Sequence, residues 1–101
     1  MPLTDTQKEE IKHELRNLLS SEGEVTKVVV FGSFLNSDEP HDIDIAVYQN
    51  SNEKYIPLSM KYRRLTRKIA MILPVDIIPI KSNAQNSFIR EFDAGEIIYE
   101  R

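Results

Sequence analysis

Apolar residues over positions 4–20 follow a helical period. Ile11, Leu15, Leu18 and Leu19 stand at i, i+4, i+7 and i+8, which is one face of a helix. Thr4 and Thr6 are the candidate N-caps, because Gln7 and Glu9 stand three residues on from each, the spacing of a capping box. Gly23 lies just past the end, where helices commonly stop. Val25 to Phe31 is β-branched, and Val28-Val29-Val30-Phe31 shows no alternation, which predicts a central strand buried on both faces. Gly32-Ser33 ends that strand, and Asn36 to His41 has loop chemistry. Ile43, Ile45 and Val47 then alternate with Asp42, Asp44 and Ala46, the pattern of a strand with one apolar face and one face carrying two carboxylates.

After a polar turn at Gln49 to Glu53, Pro57 suits the first turn of a helix. Leu58, Tyr62, Leu65, Ile69 and Ile72 follow at steps of 4, 3, 4 and 3, which predicts one helix ending at or before Pro74, with Tyr62 in the core. Val75 to Ile80 reads as a buried strand whose one charge is Asp76. Asn83 or Asn86 would cap a short helix through Phe88, Ile89 and Phe92, stopped by Gly95, and Glu96 to Glu100 is a final strand. The order α-β-β-α-β-α-β predicts an α+β or α/β fold, a small mixed sheet flanked by helices. No internal repeat is present, and 101 residues are expected to form a single domain over 1–101.

Composition narrows the chemistry. With no cysteine, disulfide scaffolds, thiolate zinc sites and thiol nucleophiles are excluded. No apolar run approaches the ~18 residues of a membrane span, and Met1-Pro2-Leu3-Thr4-Asp5 lacks the features of a signal peptide, so a cytoplasmic location is expected. The net charge of −3 hides an asymmetry: residues 1–50 carry 4 Lys/Arg against 10 Asp/Glu, and residues 51–101 carry 9 against 6. An acidic first half suits bound cations. The basic stretch Lys61 to Lys68 reads as a solvated helix face, with docking to an acidic partner or to RNA as its alternatives.

Asp42 and Asp44 fall on one side of their strand, with side chains about 6–7 Å apart. Two such carboxylates repel, and a hard divalent cation relieves the repulsion. A half-exposed strand showing acids to water has the same pattern. Asp76 needs a partner or a metal if buried, or reaches solvent from an edge strand. A third carboxylate on a neighbouring strand would complete a metal site of the phosphoryl-transfer type. Gly32-Ser33 permits close backbone approach to a phosphate, although alone it is simply a turn. His41 in the loop and His13 on the first helix read as surface residues.

A buried strand, Gly-Ser, a short loop, Asp-x-Asp on a strand, a helix and an acid on a further strand follow one another here. In this the chain resembles the polymerase-beta-type nucleotidyltransferase superfamily, and within it the minimal nucleotidyltransferases, or MNT proteins. The residues that carry the resemblance are Phe31-Gly32-Ser33, Asp42-Ile43-Asp44-Ile45-Ala46-Val47 and Val75-Asp76-Ile77-Ile78, with Gly95-Glu96-Ile97-Ile98-Tyr99-Glu100 as the closing strand. It extends from the first helix to Tyr99. It implies transfer of a nucleoside monophosphate, AMP from ATP, to an acceptor hydroxyl. Asp42, Asp44 and Asp76 would hold two Mg2+, Asp76 would help deprotonate the acceptor, and Gly32 and Ser33 would hold the β- and γ-phosphates. It also implies a partner, since minimal relatives are often encoded beside a helical HEPN toxin for which they are the antitoxin. The chain departs from the family pattern at two points. Many relatives follow Gly-Ser with Arg, where Phe34-Leu35-Asn36-Ser37 stands here, and His41 replaces a Ser before the first Asp. The missing Arg sets a second expectation beside the first, an antitoxin that neutralises its partner by contact alone.

Overall fold

The computed structural model describes residues 2–83 and 95–101. In chain order they form α1 (Asp5–Ser20), β1 (Val25–Phe31), α2 (Ser33–Asn36), β2 (Ile43–Gln49), α3 (Tyr55–Leu65), α4 (Arg67–Ala70), β3 (Val75–Lys81) and β4 (Glu96–Glu100). The helix expected through Phe88, Ile89 and Phe92 lies outside the described residues. Thr4, not Thr6, caps α1. The Gln7 backbone N–H donates to Thr4 Oγ1 at 3.1 Å, and the Thr4 N–H donates to Gln7 Oε1 at 2.8 Å, the full reciprocal box.

The four strands make one sheet in the order β3-β2-β1-β4. β1 pairs antiparallel with β2 on one side and β4 on the other, and β2 pairs parallel with β3. The parallel pair requires a crossover, and α3 with α4 supplies it. β3 is an edge of the described sheet, with Pro79 opposite Val47. The missing alternation of Val28 to Phe31 is explained by two clusters. Val28 and Val30 join Ile43, Ile45 and Val47 beneath the helices, against Leu15, Leu19, Phe34, Leu58, Tyr62 and Ile69. Val29 belongs to a smaller cluster with Ala46 and Tyr48, and Phe31, Ile78 and Ile80 pack against it. Gly95 lies so close to β1 that a Cβ there would stand 2.6 Å from the Val30 carbonyl oxygen.

The single helix expected from Leu58 to Ile72 is two. Thr66 leaves the helical conformation (φ −101°, ψ 13°) between α3 and α4, and its buried hydroxyl donates back to the Tyr62 carbonyl at 2.9 Å. Such back-bonding bends helices. Leu58, Tyr62 and Ile69 keep the core positions their spacing predicts, but α4 ends at Ala70, so Ile72 lies beyond the helix and is 62% exposed.

Tyr62 also ties α3 to the start of β1. Its hydroxyl donates to Glu24 at 2.8 Å, and Lys61 Nζ lies 2.9 Å from the same carboxylate. Burial opposes ionisation of Glu24, but the hydrogen bonds from Lys61 and Tyr62 outweigh it and hold the carboxyl below its ordinary value. A depressed acid stabilises the fold above its unfolded pKa, and that contribution is lost as pH falls through the folded value. Tyr62→Phe is therefore expected to cost about 1.5 kcal/mol at neutral pH. Urea titration would read this as a lower midpoint at unchanged slope, and the gap from wild type should narrow in acid.

Candidate active site

The site forms where β1 ends. Gly32 follows the strand with φ +82° and ψ −157°, a region open essentially to glycine alone. A Cβ on Gly32 would stand 2.5 Å from Asp44 Oδ2, so a bare Cα is also needed to let that carboxylate approach. The one-turn helix α2 begins at Ser33, which is exposed. Phe34, the next residue, is fully buried in the core beneath the sheet. Asn36 turns its amide back toward the Gly32 carbonyl at 3.5 Å.

Register then brings the acids together. Asp44 on β2 is paired with Phe31 of β1 on one side and with Asp76 of β3 on the other. Side chains opposite one another in neighbouring strands share a face, so Asp44 and Asp76 are adjacent although they stand 32 positions apart in sequence. Asp42 stands immediately before β2 begins at Ile43 and is not held to the strand's repeat. Asp42, Asp44 and Asp76 each offer one oxygen, and these three oxygens lie within 4.8 Å of one another, closer than the spacing expected along a regular strand. Asp42 and Asp44 are half-buried, and Asp76 is exposed, the solvent-reaching alternative for that residue.

Among the described residues none of the three carboxylates forms an ion pair. Burial, followed by the charges of Asp42 and Asp76, pushes the Asp44 carboxyl above its ordinary value. Three convergent hard oxygen donors without a protein cation fit a divalent metal such as Mg2+, which takes carboxylate oxygens together with substrate phosphates. His41 and His13 are exposed. The sequence pattern did not reveal α2, because four residues are too few to display a period, nor did it show Phe34 turning inward or Asn36 turning back.

Comparison with known proteins shows the family. Residues 13–101 match the family described as Polymerase beta, Nucleotidyltransferase, and the chain belongs to that family. No curated protein matches the chain significantly. Two of the solved structures that share the fold illustrate it. One is from a complex of tri-AMPylated Shewanella oneidensis HEPN toxin with MNT antitoxin, with a TM-score of 0.68 and 18% identity over 93% of this chain and 73% of that one. The other is a chain from Sulfolobus solfataricus assigned as a nucleotidyltransferase, with a TM-score of 0.60 and 20% identity over 93% of this chain and 80% of that one.

Proposed function

We propose that this chain is a Mg2+-dependent nucleotidyltransferase that moves AMP from ATP to a hydroxyl of a HEPN-type partner protein, as the antitoxin of a two-protein module in the cytoplasm. The observation that carries the reading is the meeting of Asp42, Asp44 and Asp76 beside Gly32, in a chain of the nucleotidyltransferase family. The partner is supported by the shared fold with the complex of HEPN toxin and MNT antitoxin. Among the described residues no helix is long and apolar enough to cross a membrane.

Asp42, Asp44 and Asp76 are the residues that would hold two Mg2+ ions. When bound, such ions neutralise phosphate charge and stabilise the attacking and leaving oxygens. The chain's own groups divide the remaining work. Asp76, the exposed member, faces the incoming acceptor and takes the hydroxyl proton. The acceptor oxygen bonds to the α-phosphorus as the bond to the bridging oxygen breaks, and pyrophosphate leaves. Gly32 and the Ser33 hydroxyl contact the β- and γ-phosphates. Ser33→Ala should therefore weaken ATP binding roughly tenfold, the loss of one charge-assisted hydrogen bond, while barely changing AMP binding. Isothermal titration with both nucleotides checks this, and equal losses would remove the role given to Ser33.

A second reading, neutralisation by contact alone, is favoured by one observation. Phe34 occupies the position where many relatives carry Arg, and it is buried, so this position supplies no guanidinium, although Lys8 Nζ lies 5.7 Å from its ring centroid. One experiment separates the two readings: incubation with α-labelled ATP, Mg2+ and the product of the neighbouring gene. Label on the partner, lost when Asp42 and Asp44 are both changed to asparagine, supports transfer. A stable unlabelled complex supports contact alone.

A further inference from the structure

The outer side of α3 and α4 is a surface that the nucleotide site does not use. The break at Thr66 leaves a groove of about 460 Å³ lined by Met60, Arg63, Arg64, Arg67 and Ala70. Met60 is 55% exposed, Ile56 one turn earlier is 66% exposed, and Met71 directly after α4 is 84% exposed. Contiguous exposed apolar patches mark interaction sites, whereas scattered apolar residues do not, and Ile56 and Met60 stand one turn apart on α3. Lys61 is paired with Glu24, and Lys68 lies 3.3 Å from Glu14. Arg63, Arg64 and Arg67 are exposed, and among the described residues they have no ion-pair partner.

We infer that the groove between α3 and α4 is the docking surface for the partner protein, and that it takes an apolar side chain flanked by carboxylates, as on an acidic amphipathic helix. The inference rests on the proposed function in one respect, that the acceptor is a protein. Arginine and methionine around an apolar centre are the residues enriched in protein interfaces. A guanidinium takes a carboxylate through two parallel hydrogen bonds, so three unpaired arginines select an acidic counterpart. Phosphate would satisfy the arginines but would leave Ile56, Met60 and Met71 without apolar cover, which disfavours RNA. The position is also productive. Only four residues of chain separate Met71 from Asp76, so their Cα atoms are at most about 18 Å apart. A partner that also covers Met71 is therefore held within that span of the carboxylate that receives the acceptor's proton.

The test compares Met60→Glu and the double variant Arg63→Glu/Arg67→Glu with wild type, using the neighbouring gene's product in surface plasmon resonance and ATP with Mg2+ in calorimetry. All three positions are exposed and helical, and circular dichroism checks that each variant is folded. Each variant should bind the partner at least tenfold more weakly and bind ATP as wild type does. The double variant Asp42→Asn/Asp44→Asn should do the reverse. Partner binding that survives both groove variants overturns the docking surface and leaves the nucleotide reading standing. Loss of partner binding in a chain that never binds ATP keeps the docking surface and removes nucleotidyl transfer. Three further results overturn the inference: no binding of the partner by wild type, steeply salt-dependent RNA binding abolished by Arg63→Glu/Arg67→Glu, or a wild-type dimer that Met60→Glu makes monomeric in light scattering.

Discussion

Changing Asp42 and Asp44 together to asparagine is expected to weaken Mg2+-dependent ATP binding about 100-fold or more while raising the melting temperature of the metal-free chain. The first effect follows from the position of the two residues. Loss of groups that merely support metal ligands already costs about 10–100-fold, and these carboxylates would be the ligands themselves. The second effect follows from Asp44, whose carboxyl is pushed up by burial and by Asp42 and Asp76. An acid raised in the folded state binds more protons there than in the unfolded chain, so its ionisation destabilises the fold. The penalty is complete above the raised value and disappears as pH falls to the ordinary 3.8. In the absence of metal, wild type should therefore gain stability relative to Asp44→Asn as pH drops through that window. Mg2+ should raise the melting temperature of wild type at pH 7 and leave the double variant unmoved. Scanning calorimetry with and without Mg2+ reads all of this. A double variant that still responds to Mg2+ would place the metal elsewhere.

Gly32→Ala should produce a large loss from a single methyl group. The backbone conformation alone costs on the order of 1–3 kcal/mol for a non-glycine residue. For a chain of this size each kcal/mol lowers the melting temperature by about 4–8 °C. The added Cβ also meets Asp44 Oδ2 at 2.5 Å, so Asp44 has to swing away from its two neighbours. The variant should consequently lose most of its metal affinity even at temperatures where it is fully folded. Metal titration below the melting transition checks this. An unstable variant with unchanged affinity would mean that Gly32 serves the turn and not the site.

Where local chemistry and tertiary packing agree, the sequence is a good guide. Four apolar residues at helical spacing and a reciprocal cap define α1, and the unalternating run at Val28 to Phe31 announces a strand covered on both faces. Asp42, Asp44 and Asp76 are candidates from composition and period, but that they meet depends on the pairing of β2 with β3, a relation between distant segments that no local period encodes. The failure at Ile72 has a different cause. Its spacing continues the stripe of α3 faultlessly, but α4 stops at Ala70, two residues short of it. Gln49, placed in a polar turn from its side chain, lies at the buried end of β2, where its side-chain Oε1 accepts the Ser51 N–H at 2.7 Å.

Pro79 has a consequence for how many copies of this chain can share a solution. It interrupts Ile77-Ile78-Pro79-Ile80, which is otherwise an uncharged, strongly β-forming run on an edge of the described sheet. Uninterrupted runs of that kind on sheet edges recruit strands from other molecules and seed aggregates. A proline there withholds one backbone donor, so an incoming strand cannot complete its ladder along β3. β3 can thus be apolar enough to bury Val75 and Ile77 and still hold Asp76 at an open rim, without making the protein insoluble.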